Sequence, residues 1–414
     1  MISTRGAYKL SATLAASEGK SGTCTWDASF GQAVSPVPRA VQESLAQQVA
    51  ESAYPAVSGI DELRDSWARY LRTSHNAPFE KSKMLITPGS KFAIHSFFSS
   101  IARSVVVLPT PTWVGYEPLA STAGHTVIPL SCSKRQGYKI PLNDLKLLCN
   151  AYPEAQIVLI VNSPHNPTGV VYSAKEMEAL CKYCETAKVT ILFDGIYAAS
   201  EDFNGIAVAT PMHHIPEQTV YLGGASKLFG MGGKRLGFVH VPHAALYHEM
   251  RSHISVTVSG VDIGSQKALA AFFSNCSQAN EHALLWQSKC ATVASYVMSR
   301  LSQMNVNPSK SAGAFYIYAC FSAHAQHLAD KCQVHTSTDL ADELMKNVGI
   351  RCLPAASFND DSLAVRLSTQ AYDPAMPAVR DCQDVCLDKI VRKHAACIVE
   401  GLDKLEKFLS LIAD

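Results

Sequence analysis

The sequence lacks an excess of charge of either sign. Its 36 Lys and Arg residues are balanced by 35 Asp and Glu residues, and only 17% of the chain is charged. Binding to nucleic acid or to an anionic membrane surface needs a cationic surface, so this balance predicts neither partner. It favours a small molecule as the ligand.

Long apolar runs are also missing, since none approaches the roughly 20 residues of a membrane-spanning helix. The N-terminal segment has Arg5 and Lys9 and no acid before Glu18, as targeting segments often do. Ser11 and Thr13 interrupt its apolar stretch, however, so the criteria for a signal peptide are not met. We expect a cytoplasmic protein.

The 13 cysteines show no disulfide framework, and their odd number in a long chain suits a reducing compartment. Cys181 and Cys184 form a CKYC segment with the spacing of a redox motif or half a zinc site. No second pair of Cys or His follows at a suitable distance, so we interpret the segment as one face of a helix and expect no metal site.

Short β-branched runs alternate with helical patterns over residues 83–242, which predicts a largely parallel sheet with crossover helices. The predicted strands are KMLITPG, SVVVLPT, HTVIPL, AQIVLIVNS, VTILFD, QTVYLGG and LGFVHVP. After a helical stretch, GAFYIYACF, GIRCLPA and LAVRLST alternate as short strands, and one strong helix ends the chain. We therefore predict an α/β protein in which a large domain with a mostly parallel seven-stranded sheet is joined to a smaller α+β domain.

No linker rich in Pro, Gly or Ser separates these parts, so we expect the two domains to share an extensive interface. We place the large domain at residues 50–290. The small domain then comprises residues 1–49 and 291–414.

Polar residues follow three of the predicted strands. Asn166 follows the fourth strand, Asp194 and Tyr197 follow the fifth, and Ser226 and Lys227 follow TVYLGG. Parallel sheets bind ligands at the carboxyl ends of their strands, where all of these side chains meet. A lysine among Gly, Ala and Ser is open and poorly solvated, which is the setting in which an amine can form a Schiff base.

The ordered set NPTG, Asp194, Tyr197, the SK pair and Arg235 resembles the fold-type I pyridoxal-phosphate enzymes, and the class I and II aminotransferases of the aspartate aminotransferase superfamily in particular. With flanking matches the resemblance covers almost the whole chain. It implies pyridoxal 5′-phosphate as the cofactor, an amino acid and a 2-oxo acid as substrates, and a homodimer.

The resemblance also implies residue roles. Lys227 would hold the cofactor as an internal aldimine and then carry the proton between the substrate Cα and the cofactor. Asp194 would keep the pyridine nitrogen protonated. Asn166 and Tyr197 would bind the ring's 3′ oxygen, and Arg235 would bind the phosphate.

The phosphate site would be completed by Ser226 and by Gly89, Ser90 and Lys91, where a turn meets a helix N-terminus. Trp113 would stack on the pyridine ring, although a plain core position is the alternative. Tyr54 would reach the phosphate of the neighbouring subunit.

The substrate side is implied by the AVRLS segment, in which Arg366 would bind the α-carboxylate together with Asn166 and Trp113. An arginine in an apolar strand is costly to bury without an anion. Gly31 lies in the N-terminal segment that would cover the substrate.

The choice of substrate stays open. Lys91 would either bind a distal carboxylate, as in some bacterial aspartate and prephenate aminotransferases, or be a solvated or phosphate-steering charge, so acidic and aromatic donors both remain. A lyase, decarboxylase or oxidase reaction could use the same residues. A non-enzymatic sensor would need a DNA-binding domain for which the chain has neither length nor charge.

Overall fold

A computed structural model describes residues 24–378 and 384–413. The segment around Arg5, Lys9 and Glu18 lies outside these residues. Within the described ranges, no helix is both long enough and apolar enough to span a bilayer.

The described residues form thirteen strands. These are β1 (Trp26–Asp27), β2 (Met84–Thr87), β3 (Val105–Thr110), β4 (Thr126–Ser131), β5 (Ile157–Asn162), β6 (Thr190–Asp194), β7 (Thr219–Gly224), β8 (Gly237–His240), β9 (Asn307–Pro308), β10 (Tyr316–Cys320), β11 (Ile350–Arg351), β12 (Leu353–Pro354) and β13 (Ala364–Ser368).

Thirteen α-helices accompany the strands in the same part of the chain. They are α1 (Arg39–Gln47), α2 (Asp61–His75), α3 (Ser90–Ser99), α4 (Tyr116–Thr122), α5 (Leu142–Ala151), α6 (Ala174–Thr186), α7 (Ala244–Thr257), α8 (Ile263–Phe273), α9 (Cys276–Gln303), α10 (Ala325–Cys332), α11 (Ser337–Glu343), α12 (Asp384–His394) and α13 (Ala396–Ala413).

Seven strands form one sheet in the order β2-β8-β7-β6-β5-β3-β4. β3 to β7 pair in parallel, and β8 runs antiparallel to both of its neighbours. Leu159 and Val161 of β5 pack in the hydrophobic cluster on one face, whereas Val158 and Ile160 pack in the cluster on the other. A strand buried on both faces must be apolar throughout, which explains the continuous β-branched runs. The predicted seven-stranded, mostly parallel sheet is confirmed.

A second sheet has the antiparallel order β12-β13-β10-β9, and its register pairs Tyr318 with Arg366. The N-terminal β1 pairs in parallel with β11, so that Trp26 lies beside Ile350. These strands pack with α9 to α13 in a third hydrophobic cluster. The chain's first described residues are therefore built into its C-terminal part.

The CKYC segment lies within α6, as predicted. Ser173 and Glu176 form a capping box at the start of this helix, which satisfies backbone N–H groups that a helix N-terminus leaves free. Cys181 and Cys184 are both buried on the face that packs against the sheet.

The prediction of one continuous C-terminal helix is wrong, because α12 and α13 are separated at Ala395. The His394 carbonyl accepts the Asp373 N–H at 2.7 Å, and the Ile398 N–H bonds to Ala395 instead of to His394. A tertiary hydrogen bond thus replaces the helical one at this point, and the helix breaks there.

Candidate active site

A cavity of about 580 Å³ opens at the carboxyl edge of the seven-stranded sheet. The structure brings most of the predicted site residues to its wall. They are Gly31, Ser90, Lys91, Trp113, Asn166, Asp194, Tyr197, Ser226, Lys227, Arg235 and Arg366.

Asp194 ends β6 and is buried. Its Oδ1 accepts the Ile196 N–H at 3.0 Å, and its Oδ2 accepts the Tyr116 hydroxyl at 2.7 Å. Burial raises the pKa of this carboxyl to about 6, while the bonds from Tyr116 and Ile196 oppose the rise. The side chain is therefore an acid that ionises close to neutral pH.

Asn162 fixes the neighbouring turn. It ends β5 opposite Asp194, and its amide donates to the Asp194 carbonyl at 2.9 Å. Its side-chain oxygen accepts the Asn166 N–H at 2.8 Å. The two adjacent strand ends are thereby tied together, which orients Asn166 toward the cavity.

Lys227 follows β7, and its amine donates to the Gly31 carbonyl. The nitrogen lies 5.9 Å from the Tyr197 ring centroid and 5.8 Å from that of Phe315. Gly31 is required here, because a Cβ at this position would overlap the Tyr316 hydroxyl. The N-terminal segment thus meets the lysine directly.

Arg235 and Gly89 form a cradle at the start of α3. Arg235 has a left-handed backbone with φ of 54°, and its Nη1 donates to the Gly232 carbonyl at 2.9 Å. Gly89 precedes α3 with φ of 84°, and a Cβ there would overlap the Arg235 guanidinium. A guanidinium next to free helix N–H groups is suited to an anion such as phosphate.

Arg366 lies on β13 and is buried. Its Nη1 donates to Asn166 Oδ1 at 3.2 Å and its Nη2 to the Ser29 carbonyl at 2.6 Å, while its Nε has no hydrogen-bond partner among the described residues. Burial lowers the pKa of this guanidinium. The Tyr316 ring centroid lies 4.4 Å from its Cζ and that of Phe358 lies 5.2 Å away. A buried cation with an open donor, and with no carboxylate partner in the part of the chain that the structure describes, is suited to an anionic ligand.

Tyr197 and Tyr316 are joined through their hydroxyl oxygens, which lie 3.1 Å apart. Burial raises the pKa of the Tyr197 phenol well above its ordinary value, so the hydroxyl keeps its proton. Tyr316 was not among the predicted site residues. The signal for it was weak, namely its place in the alternating strand GAFYIYACF.

The outer wall of the cavity combines one cation with apolar groups. The Lys91 amine lies 5.5 Å from the Trp113 ring centroid. Phe30, which is 57% exposed, also lines the cavity. The Trp113 ring occupies the space that a Cβ at position 115 would need, so its position depends on Gly115.

Two predicted residues do not line the cavity of the single chain. Gly89 lies behind the Arg235 guanidinium, and Tyr54 is 93% exposed. Tyr116, which was not predicted, does line it and bonds to Asp194. The roles predicted for all of these residues stay predictions.

These residues fit a phosphorylated pyridine aldehyde. Gly89 leaves the space that the Arg235 cradle needs, and the lysine amine and the buried carboxylate face the same cavity. The Arg235 cradle suits the phosphate of such a molecule, the lysine amine suits its aldehyde, and the buried carboxylate suits its ring nitrogen.

Comparison with known proteins gives a consistent result. The family model described as aminotransferase class I and II matches residues 24–376. An asparagine–oxo-acid transaminase of Streptococcus mutans is 25% identical over 80% of this chain and 83% of its own. An aspartate aminotransferase of Bacillus subtilis is 26% identical, with 83% and 84% covered.

Solved structures share the fold. A double mutant of Thermus thermophilus aspartate aminotransferase superimposes with a TM-score of 0.81 at 20% identity, covering 98% of this chain and 97% of that one. An aromatic aminotransferase from Pyrococcus horikoshii gives 0.79 at 20% identity, with 97% and 98% covered. The predicted fold class is confirmed by these superpositions.

Proposed function

Because the chain belongs to the aminotransferase class I and II family, we propose specific roles for the residues of its cavity. The protein is a pyridoxal-phosphate-dependent enzyme that transfers amino groups. The observation that supports the proposed roles is that Lys227, Asp194 and Arg366 line one cavity. Their amine, carboxylate and guanidinium supply a base, an anion for the ring nitrogen and a cation for a carboxylate.

The bound cofactor supplies a ring that accepts electrons when a bond to the substrate Cα breaks. Lys227 would hold the cofactor covalently through its amine, and this amine would take the proton from the substrate Cα. Without the cofactor, the Gly31 carbonyl accepts a hydrogen bond from this amine and holds it at the cavity wall.

Asp194, Asn166 and Tyr197 orient the cofactor ring. The ionised carboxylate of Asp194 would keep the ring nitrogen protonated. The Tyr197 hydroxyl and the Asn166 amide would hold the 3′ oxygen of the ring.

The start of α3 would hold the phosphate of the cofactor. Arg235 provides a charge-assisted contact, Ser226 a hydroxyl, and Gly89 and Ser90 backbone N–H groups. Trp113 covers the face of the ring.

Arg366 binds the α-carboxylate of the amino acid, assisted by Asn166. Its open Nε and its two bonded nitrogen atoms form a planar fork that matches a carboxylate. Gly31 and Phe30 then cover the substrate from the N-terminal side.

We propose an acidic amino donor, with Lys91 as the cation that binds its distal carboxylate. In support, Lys91 lines the cavity. An aromatic donor is the second candidate, favoured by the apolar side chains of Phe30, Trp113 and Phe358, which also line the cavity. Relatives named for aspartate and for aromatic substrates exist on the same fold.

The test is a half-reaction with the holoenzyme. The visible spectrum is followed while aspartate, glutamate, phenylalanine, tyrosine, methionine or alanine is added without any 2-oxo acid. Stoichiometric 2-oxo acid with conversion of the cofactor to its amine form identifies the donor. Release of ammonia with the cofactor regenerated would overturn transamination in favour of a lyase or oxidase.

Lys91→Ala separates the two donor classes. We expect the KM for aspartate to rise about tenfold, as for the loss of a partly exposed ion pair, while the KM for phenylalanine stays unchanged. Lys134→Ala, an exposed lysine outside the cavity, is the matched control. A weaker affinity for pyridoxal phosphate in Lys91→Ala would instead assign this lysine to the phosphate.

We further propose a homodimer in which Tyr54 reaches the phosphate in the partner's cavity. The support is an exposed apolar set that includes Tyr54, Val49 and Val256, which are 93%, 84% and 82% exposed. Light scattering should give twice the mass of one chain. Tyr54→Phe should weaken cofactor binding without changing that mass, and a monomer would end the proposal.

The domain division and the cellular location complete the proposal. A boundary near residue 290 is supported because Cys290 packs in the large-sheet cluster and Val293 in the C-terminal one. Cytoplasmic location is supported by the eleven cysteines whose side chains the structure describes, all of which are free thiols. Fractionation of cells expressing the tagged chain tests the location.

A further inference from the structure

We propose that Tyr116 is a positioning residue that keeps the Asp194 carboxylate ionised and aimed at the ring nitrogen of the cofactor. This inference rests on the proposed function and concerns a residue to which that function gives no role. Tyr116 Oη donates to Asp194 Oδ2 at 2.7 Å, and the tyrosine also lines the cavity.

The place of Tyr116 is fixed by its surroundings. It begins α4 directly after Gly115, and its N–H donates to the Trp113 carbonyl at 3.3 Å. Its ring meets the Trp113 ring edge-on, with centroids 5.0 Å apart and an interplanar angle of 83°. The Trp113 ring can take this position only because residue 115 is a glycine. Since the ring packs against Tyr116, the phenol has little freedom to turn away from Asp194.

The hydrogen-bond count at Asp194 shows what this phenol contributes. A carboxylate has about four acceptor positions. Tyr116 and Ile196 occupy one position on each oxygen, which orients the group and leaves the remaining lone pairs for the cofactor. Among the described residues, Tyr116 is the side chain that donates to this carboxylate.

The electrostatics give the direction of the effect. Burial raises the Asp194 pKa to about 6, and the Tyr116 bond is the largest influence that opposes it, ahead of Ile196 and Lys227. The other ionisable groups around it, Tyr197 and Tyr221, are buried phenols whose own pKa values are raised, so they add no charge. Tyr116 also stays protonated, because burial and Asp194 raise its pKa, and so it remains a donor.

The experiment compares Tyr116→Phe with a matched control. The dissociation constant of pyridoxal phosphate is measured by equilibrium dialysis from pH 5 to pH 9 for the wild type, Tyr116→Phe and Tyr172→Phe. Tyr172 is a second buried tyrosine, whose hydroxyl accepts the Ile140 N–H at 3.0 Å away from Asp194. Ionisations of the cofactor itself are common to all three proteins and cancel.

In the wild type, we expect the affinity for pyridoxal phosphate to fall as the pH is lowered through the Asp194 pKa, and we call this fall the acidic limb. In Tyr116→Phe the acidic limb should lie about one pH unit higher, so that the affinity at a pH below the limb is about tenfold weaker than in the wild type. The sign follows because Asp194 binds the protonated nitrogen only when ionised, and a higher pKa moves that requirement to higher pH. Tyr172→Phe should keep the wild-type limb. An unmoved limb in a folded Tyr116→Phe protein overturns the proposal.

A second measurement does not involve the cofactor. In protein labelled with ¹³C at aspartate carboxyl carbons, the Asp194 signal is assigned from its loss in Asp194→Asn, and its titration is followed in the apoprotein. Its pKa should be about one unit higher in Tyr116→Phe than in the wild type.

The two measurements distinguish a failure of the proposed function from a failure of the role proposed for Tyr116. If wild-type binding of pyridoxal phosphate does not depend on Asp194, the proposed function fails. If it does depend on Asp194 but Tyr116→Phe leaves both the limb and the ¹³C titration unchanged, only the role of Tyr116 fails.

Discussion

Asp194 and Arg366 face the same cavity, but they are held in place by different kinds of contact. Asp194 is oriented by a backbone group two positions away and by a tyrosine from the same large sheet unit. Arg366 is held by Asn166 and by Ser29, which are 200 and 337 positions away in the sequence. One nitrogen of Arg366 is left open.

The two sides differ in how completely the protein alone orients the charged group before a ligand binds. The carboxylate side is preorganised, since one donor is the Ile196 N–H just after β6 and the other is Tyr116, which is held at the start of α4. The guanidinium side joins three distant segments around a buried cation whose desolvation is only partly offset. Binding on the first side should therefore depend on local contacts, and binding on the second on how the distant segments come together.

The largest effect should come from removing Lys227, which lies between the two sides. Lys227→Ala should lower kcat by about ten-thousandfold, the upper range for a general acid–base group. It should also abolish the cofactor adduct that borohydride traps, as measured by mass spectrometry. Lys234→Ala, in the same segment, should keep the adduct, and a trapped adduct on another lysine would contradict the assignment.

On the guanidinium side, Arg366→Lys keeps the charge but loses the fork. We expect kcat/KM for amino acids to fall about a hundredfold or more, because a desolvated charge-assisted contact is lost. The dissociation constant of pyridoxal phosphate should not change. A matching loss of cofactor affinity would show that the two sides are not separate.

On the carboxylate side, the raised Asp194 pKa makes the apoprotein's stability depend on pH. The folded carboxyl binds its proton more tightly than the unfolded one, so stability should fall as pH rises from about 4 to about 6 and stay reduced above it. The contribution is on the order of 3 kcal/mol.

Asp194→Asn should remove this slope from urea unfolding curves of the apoprotein. Because other carboxyl groups also titrate in the interval, the measured quantity is the difference between the two proteins. Parallel curves for the variant and the wild type would show that Asp194 ionises at an ordinary pKa.

The smallest effects should come from Tyr316, which contacts both sides. Tyr316→Phe loses the hydroxyl bonded to Tyr197 but keeps the ring on Arg366, so we expect kcat to fall about threefold with KM unchanged, as for one neutral hydrogen bond. Tyr316→Leu also loses the ring, and KM for the amino acid should rise about tenfold. Equal KM values for the two variants would contradict the role of the ring.

The sequence was sufficient to predict the large sheet because its strands are buried on both faces and must be apolar throughout. It also placed Asp194 and Lys227 correctly at one edge, since strand ends of a parallel sheet converge. These features depend on local pattern and on topology alone.

Features that depend on contacts between distant segments were not predictable. Tyr116 and Tyr316 gain their roles from partners 78 and 119 positions away. The break at Ala395 arises from a bond between His394 and Asp373, and β1 has only two residues. The periodicity of apolar residues in a sequence does not indicate contacts between segments that lie so far apart.

The bond between Arg366 and Ser29 has a consequence for biosynthesis. During translation, Ser29 emerges well before the strand that carries Arg366, because 337 positions separate them. At 5 to 20 residues per second, that interval is roughly 17 to 67 s. By the end of it, all seven strands of the large sheet, which lie between Met84 and His240, have been made, while Ser29 still lacks its partner. This contact in the wall of the cavity can therefore form only after the strands of the large sheet have been synthesised.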